Sequence, residues 1–496
     1  MNFSFLTTIL VLPLVGLVII ALLPKPSGKT VKYTALTFTL AAFAVSLVVF
    51  GLFDRSTGAI GVMQFEEKIS WIPAINAHYH LGVDGLSLPM VVLTTFLGFL
   101  AVLVSWKIEL RPREYFIWLL LLETSILGVF CSLDLVLFFL FWELELFPMY
   151  FLISIWGGGR REYSAIKYVL YTLTGSAMML AGILSVYFTT GSMSMTELAG
   201  GLSLGSPVIP AAAMFFLLFI GFGIKLPMFP FHTWLPDAHT DAPTAVSVIL
   251  AGALLKMGGY GMIRLCVSLM PDMAKVYAPV LVALAAIGIL YGAAVTMRQT
   301  DLKRLIAYSS VSHMGYVLLG IFAFTELSIT GASLQMFSHG IITGLLFAMV
   351  GLVYDKTHDR NLTTLGGLAR QMPVIVLVFS IAGLASLGLP GTSGFAAEFI
   401  TFIGSFSSTA VTGIKIYTLC GVFGIVLTAG YILWMLQRVF YGPPQEKFDG
   451  TPDADTVEKI CIFCFVAAIL VVGFYPAILT NVIKMGVAPI IKYLGL

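Results

Sequence analysis

Apolar residues do not scatter along this chain. They gather in runs of 18 or more, separated by short polar links. Fourteen such runs stand out, centred near residues 13, 42, 95, 122, 143, 176, 218, 255, 286, 314, 341, 387, 426 and 470. A run of that length is enough helix to cross ~30 Å of hydrocarbon. Inside hydrocarbon only a helix or a closed barrel satisfies its own backbone groups. The pattern therefore predicts an all-α integral membrane protein of about 14 transmembrane helices. The first run opens at MNFSFLTTIL with neither a charged flank nor a small-residue cleavage site, so it reads as a retained helix rather than a signal peptide.

Composition agrees with the pattern. Of 496 residues, 59% are hydrophobic and only 10% charged, and the mean hydropathy is +0.99. A soluble chain of this length needs more polar surface than that. The net charge of +2 gives no reason to expect nucleic acid. The basic residues are informative by position. Of the 27 lysines and arginines, 18 fall in the links after spans 1, 3, 5, 9, 11 and 13, three in each. They are Lys25, Lys29, Lys32; Lys107, Arg111, Arg113; Arg160, Arg161, Lys167; Arg298, Lys303, Arg304; Lys356, Arg360, Arg370; and Arg438, Lys447, Lys459. Seven fall on the other side: Arg55, Lys68, Arg264, Lys275, Lys415, Lys484 and Lys492. Positive charge collects on the cytoplasmic side, which places both termini on the lumenal or periplasmic side. Two lysines remain, Lys225 and Lys256, and both lie inside spans.

Two spans are interrupted. In GFGIKLPMFPFHTWLPDAH, Pro227 and Pro230 follow Lys225; in GLPGTSG, Pro390 precedes Glu398. Proline removes a backbone donor, so carbonyls near Gly223 and Leu226 lose their partners. Such breaks survive in a membrane only against protein or a wet cavity. Spans 4 and 9 start about as far apart as the two breaks. An odd number of helices per unit inverts the second unit, which predicts two inverted five-helix repeats, helices 4–8 and 9–13, each with a broken helix. Matched broken helices mark a transporter's ion path; the plainer alternative is that proline and glycine are simply common in membrane helices. The chain divides accordingly into three N-terminal helices over 1–112, a first repeat over 113–270, a second over 271–441, and a C-terminal loop and last helix over 442–496.

Ionisable residues recur at membrane depth: Glu123, Glu143, Glu145, Lys225, Lys256, His313, His339 and Glu398. Each charged group at the bilayer centre costs on the order of 2.5–3.5 kcal/mol, so they must pair or share water inside the bundle. Burial brings amines and carboxyls toward neutrality, and histidine titrates there already, which suits proton exchange. Intramembrane charge is functional by default, which favours Glu143, Lys225 and Lys256. His339 reads equally well as a satisfied core residue, and Glu145, on another face from Glu143, as a structural partner of a neighbouring helix. Glu123 could instead face a partner subunit. His232, Asp237, His239 and Asp241 read as a solvated uptake or capping loop beyond span 7. No metal pattern is present: Cys461 and Cys464 lack a second pair, and no His or Cys spacing fits zinc. SGKT at Ser27–Thr30 imitates a P-loop, but Leu23 stands where its first glycine belongs. The sequence thus carries an ion path and no redox or nucleotide engine of its own.

The stretches FWELELFPMYFLISIWGG, GFGIKLPMFPFHTWLPDAHTDAPTAVSVILAGALLKMGGYG and DLKRLIAYSSVSHMGYVLLG closely resemble the antiporter-like subunits of complex I, the proton-pumping NAD(P)H-quinone oxidoreductases. The length matches the chain 4 type (NuoM or NdhD), and WELEL with SIWGG looks most like the cyanobacterial and chloroplast NdhD branch. The resemblance implies a coupling ion pair of Glu143 and Lys225 and a central proton carrier at Lys256. It places His313 and His339 beside that carrier, Glu398 as the terminal site, and His232 as the histidine after the first break. It implies no cofactor in this chain; quinone, iron–sulfur clusters and flavin would belong to partner subunits. Expected partners are other membrane-arm subunits, including neighbouring antiporter-like chains, with the lipid bilayer and protons. The expected setting is a cyanobacterial thylakoid, otherwise a bacterial inner membrane. The alternatives are the D-type subunit of a multisubunit Na⁺/H⁺ antiporter, a membrane-bound hydrogenase arm, or an NdhD variant in a CO₂-uptake complex.

Overall fold

The computed structural model describes residues 3–24, 27–202 and 207–496; Lys25, one of the link cations, lies outside them. Twenty α-helices are described: α1 (Phe5–Leu22), α2 (Gly28–Leu52), α3 (Ser87–Val104), α4 (Pro112–Cys131), α5 (Leu135–Leu144), α6 (Leu146–Trp156), α7 (Arg161–Thr190), α8 (Met195–Leu198), α9 (Ala211–Lys225), α10 (Trp234–Asp241), α11 (Thr244–Ile249), α12 (Leu255–Gly261), α13 (Pro271–Thr296), α14 (Leu302–Phe322), α15 (Glu326–Thr357), α16 (Pro373–Ser386), α17 (Ser393–Ser407), α18 (Ile414–Val439), α19 (Thr456–Phe474) and α20 (Ala477–Tyr493). Among the described residues, 12 spans are long and apolar enough to cross a membrane, counting α5–α6 and Thr244–Val267 as one each. The two remaining apolar runs form the shorter helices α9 and α16. Thirteen of the fourteen run centres lie inside helices; the one near residue 387 falls at the break between α16 and α17.

Both interruptions occur where the sequence places them, and their carbonyls are satisfied by protein. Past Lys225, Met228 N donates to Gly223 O at 3.0 Å, one residue further than an α-helix allows. Trp234 Nε1 donates to Ile224 O at 2.9 Å, so an indole replaces the amide that Pro227 distorts. At the second break Leu389 N reaches back to Leu384 O at 3.0 Å, and Gly388 and Gly391 adopt φ of +80° and +91°. Gly394 then starts α17 against α16: a Cβ there would lie 2.1 Å from Ala385 O.

The span Thr244–Val267 is irregular in another way. Two π-helical segments, Leu250–Leu254 and Met262–Val267, flank α12. Widened turns leave carbonyls without their usual partners and often mark functional positions; here Lys256 Nζ donates to Ala251 O. This span is fully buried and α14 and α15 nearly so, whereas only about 30% of α1, α2 and α19 is covered. The charged helices therefore form the core, and lipid meets helices carrying exposed Leu22, Phe463 and Phe474.

Three features depart from the sequence reading. A two-stranded antiparallel hairpin, β1 (Gln64–Ile72) and β2 (Ala77–Val83), adds a small sheet to the helical bundle. A further helix, α20, packs against α15 and α3. Arg264, assigned above to a link, lies inside the span and is buried, donating to Asp84 Oδ1 and, at 3.2 Å, to Tyr260 Oη. The links after spans 3, 11 and 13 meet at one end of the molecule, as the charge alternation requires: Lys107 pairs with Asp455 at 3.2 Å and Glu458 at 2.5 Å, and Lys356 with Glu458 at 3.1 Å.

Candidate functional site

The buried charge forms two clusters. The first assembles at the kink between α5 and α6. Pro148 cannot donate to Leu144 O, so the helix bends there and Glu145 occupies the joint. Glu145 is fully buried and its Oε1 accepts directly from Lys225 Nζ at the end of α9. Tyr168 of α7 donates to Glu145 Oε2 at 2.5 Å, and Lys225 Nζ donates to Tyr168 Oη at 3.1 Å. The Trp142 ring lies 5.6 Å from the ammonium and donates its own N–H to Ser176 at 3.2 Å. The contact differs from the pair that the resemblance implies. Lys225 meets Glu145, and Glu143 Oε1 is buried without a hydrogen-bond partner among the described residues. Residues two apart on a helix point to opposite sides, and the second carboxylate, not the first, is the one that faces α9.

The second cluster runs through the core. Lys256 Nζ lies 2.7 Å from His339 Nδ1 on α15, whose other neighbour is Thr343 Oγ1 at 3.4 Å. The His339 ring faces that of His313 on α14, with centroids 5.6 Å apart. His313 Nδ1 is 3.4 Å from Glu398 Oε1 on α17, and its Nε2 is 3.4 Å from Ser386 Oγ on α16. A cavity of about 10 Å³ among His313, His339, Gln335, Ser386 and Glu398 is close to the space of one water. Both breaks serve this cluster. The second turns α17 inward so that Glu398 points at His313. The first lets α12 close on α9, because Gly258, two residues after Lys256, has space for no side chain: a Cβ there would lie 2.6 Å from Leu226 N. The helices of the two clusters thus touch directly.

His232 is not part of either cluster. Its ring packs against Tyr291 at 5.1 Å, and neither nitrogen has a partner among the described residues. Glu123 is buried between α3 and α4, its carboxyl pressed on Gly98 and its Oε1 likewise without a partner. The segment from Asp237 to Asp241, read from sequence as a solvated loop, is buried. Its acids are tied down: Asp237 by Lys167 at 2.7 Å and Arg304 at 3.4 Å, Asp241 by Ser164 Oγ at 2.6 Å. Sequence reasoning missed the role of Tyr168. Its signal is weak, since one tyrosine in an apolar helix looks like any other.

A multi-pass bundle with broken helices and a buried Lys–His–His–Glu row defines a membrane subunit of the ion-translocating kind. Residues 132–428 match the family described as NADH:quinone oxidoreductase/Mrp antiporter, transmembrane. The chain is 44% identical to NAD(P)H-quinone oxidoreductase chain 4 1 of Synechococcus elongatus, over 97% of this chain and 90% of that one. It is 41% identical to NADH-quinone oxidoreductase subunit M of Rhodobacter capsulatus, over 99% and 96%. A chain of respiratory complex I from Thermus thermophilus superposes with a TM-score of 0.88 at 27% identity, over 99% of this chain and all of that one. The chain belongs to the NADH:quinone oxidoreductase/Mrp antiporter family of membrane subunits.

Proposed function

We propose that this chain is the proton-translocating membrane-arm subunit of a type I NAD(P)H- or ferredoxin-quinone oxidoreductase, coupling quinone reduction in partner subunits to proton pumping. The observation that carries the reading is the row Lys256–His339–His313–Glu398, in which every neighbour can hold or release a proton. The names borne by the relatives support the complex.

In this mechanism the redox groups, quinone and iron–sulfur clusters with or without flavin, reside in partners, including neighbouring antiporter-like chains that relay the conformational signal. Lys225 is the receiving end. While its ammonium is held by Glu145 and Tyr168, its charge is largely cancelled as seen from Lys256; freed from that pair, its positive charge discourages a proton on Lys256. Lys256 then passes its proton to His339, the small cavity bridges to His313, and Glu398 delivers it to the far side. His232, packed outside the row, shapes the first break. The face rich in lysine and arginine is the uptake side, cytoplasmic or stromal, and both termini face the lumen or periplasm. A thylakoid membrane fits the cyanobacterial relatives.

The test is to solubilise the native membrane gently, isolate the particle containing this chain, and assay it for iron and quinone reductase activity. Both in one large particle support the reading. An iron-free particle of small membrane subunits that exchanges Na⁺ for H⁺ overturns it in favour of the antiporter.

A further inference from the structure

Lys256 begins a second row of polar groups, and the mechanism above does not use it. The span Thr244–Val267 starts at the basic end, where Thr244 and Ala245 line a cavity of about 440 Å³ together with Lys107, Lys303 and Arg360. Toward its other end, Tyr260 stands one turn beyond Lys256, and Arg264 one turn beyond that. At 1.5 Å of rise per residue, Arg264 lies roughly 12 Å further from the basic end than Lys256.

The far members of this row are bonded to one another. Arg264 Nε donates to Tyr260 Oη at 3.2 Å, and the other arm of the guanidinium donates to Asp84 Oδ1, just before α3. Tyr260 Oη donates in turn to Phe130 O at 3.4 Å, and the two rings meet edge to face with centroids 5.3 Å apart. Asp84 Oδ1 also accepts from the backbone N–H of Leu86 and Ser87, at 2.9 and 3.0 Å. Lys256, Tyr260, Arg264 and Asp84 are all buried. A buried ion pair is weak evidence for stability, since well-packed apolar residues of similar volume often serve as well. Its chemistry supplies another reason. A hydroxyl and a carboxylate in line beyond a proton carrier would pass its proton straight to that end. The guanidinium stands between them, and it does not give up its own proton. It also occupies the Tyr260 oxygen and one Asp84 oxygen, which are then not free to receive a proton from Lys256. Arginines placed along membrane pores exclude protons on the same grounds.

We propose that Arg264 is an insulating residue, which closes Lys256 off from the end opposite the basic links and leaves His339 as the outlet for its proton. Pumping needs such a barrier, because a carrier open to both ends lets protons run back down the gradient. Arg264 does not touch the transferred proton. It acts through Tyr260 and Asp84, and so is a positioning residue for the row that starts at Lys256. The inference rests on the reading of Lys256 as a proton carrier.

The experiment reconstitutes the assembled complex into liposomes and imposes a pH gradient, with valinomycin and K⁺ holding the potential at zero. A trapped pH-sensitive dye follows the decay, with no electron donor or quinone present. Arg264→Gln should speed the decay several-fold over the unaltered complex. Adding Lys256→Met should return it to the unaltered rate, because the leak runs through Lys256. Where Arg264→Gln fails to assemble, Arg264→Lys decides in its place: it keeps a cation for Asp84 but carries a proton it can lose. A deciding variant as tight as the unaltered complex overturns the insulator. A leak that persists with Lys256→Met overturns it too, since such a leak is a packing defect. Protons moved per quinone reduced, measured for Lys256→Met alone, test the carrier separately. An unchanged ratio there overturns the carrier and the insulator with it; a lowered ratio beside a tight Arg264 variant overturns the insulator alone.

Discussion

At the scale of single residues, the structure separates two carboxylates that lie side by side in the sequence. Removing one member of a buried ion pair costs about 3–5 kcal/mol, because the other charge is left uncompensated. Glu145→Gln should therefore lower the thermal midpoint of the solubilised particle clearly. Glu143→Gln, whose Oε1 has no hydrogen bond to lose, should leave it nearly unchanged. Differential scanning fluorimetry of the two variants tests this, and the reverse order would mean that Glu143, not Glu145, holds Lys225. The ionisable residues at depth were legible in the sequence, since charge in an apolar run is conspicuous. Which of the two glutamates meets Lys225 was not. The answer depends on which of the two faces packs against α9, and no local pattern in the sequence gives that. The burial of His239 was illegible for a similar reason: α10 folds back into the bundle past the first break, which buries a segment that looks like a link.

Among the elements, the interrupted helices hold the site in shape through backbone-to-backbone contact. Adding a methyl where none fits costs about 1–3 kcal/mol. Gly258→Ala should push α12 off α9 and reduce both thermal stability and proton pumping. Gly430→Ala on α18, where a Cβ meets nothing within 4 Å, should do neither; equal effects from the two would remove the claim that this contact couples the clusters. The breaks themselves were plain from Pro227, Pro230 and the GLPG stretch, because proline's missing donor acts locally. The hairpin Gln64–Val83 was not seen. Its first strand is largely exposed and alternates weakly, so it presents neither a long apolar run nor a clean two-residue period. The last helix, α20, escaped because polar residues interrupt its apolar face, and a search for unbroken runs passes over one-sided helices.

For the whole molecule, α19 docks at the basic end through charge. Burial works against the Lys107 ammonium, but its hydrogen bonds to Glu458 and Asp455 outweigh that and raise its pKa. Burial likewise opposes ionisation of Asp455, yet the backbone N–H of Glu458 and then Lys107 hold its carboxyl below the usual range. The depressed carboxyl stabilises the docked state above its unfolded value and loses that contribution as pH falls below about 4; the raised amine stabilises it below its own unfolded value and fails only above about pH 10. The docking should therefore be flat between those limits. Because Lys107 is half exposed, it should also weaken with salt. Lys107→Ala should raise protease sensitivity of the 443–455 link at low salt and change little at high salt, measured by limited proteolysis; equal cleavage at both salts would contradict the docking account.

The helical, membrane-spanning character was legible at this scale because membrane solvent imposes long apolar helices. What lay beyond the sequence is the order of contacts within the core, which decides whether buried charges form one path. The most direct measurement is proton translocation per quinone reduced in vesicles containing the assembled complex, with Glu398→Gln and Lys256→Met beside the unaltered chain. The account predicts that each variant assembles, still reduces quinone, and loses the protons carried by this subunit to the same extent. If the two variants pump as the unaltered chain does, the row from Lys256 to Glu398 is not the path.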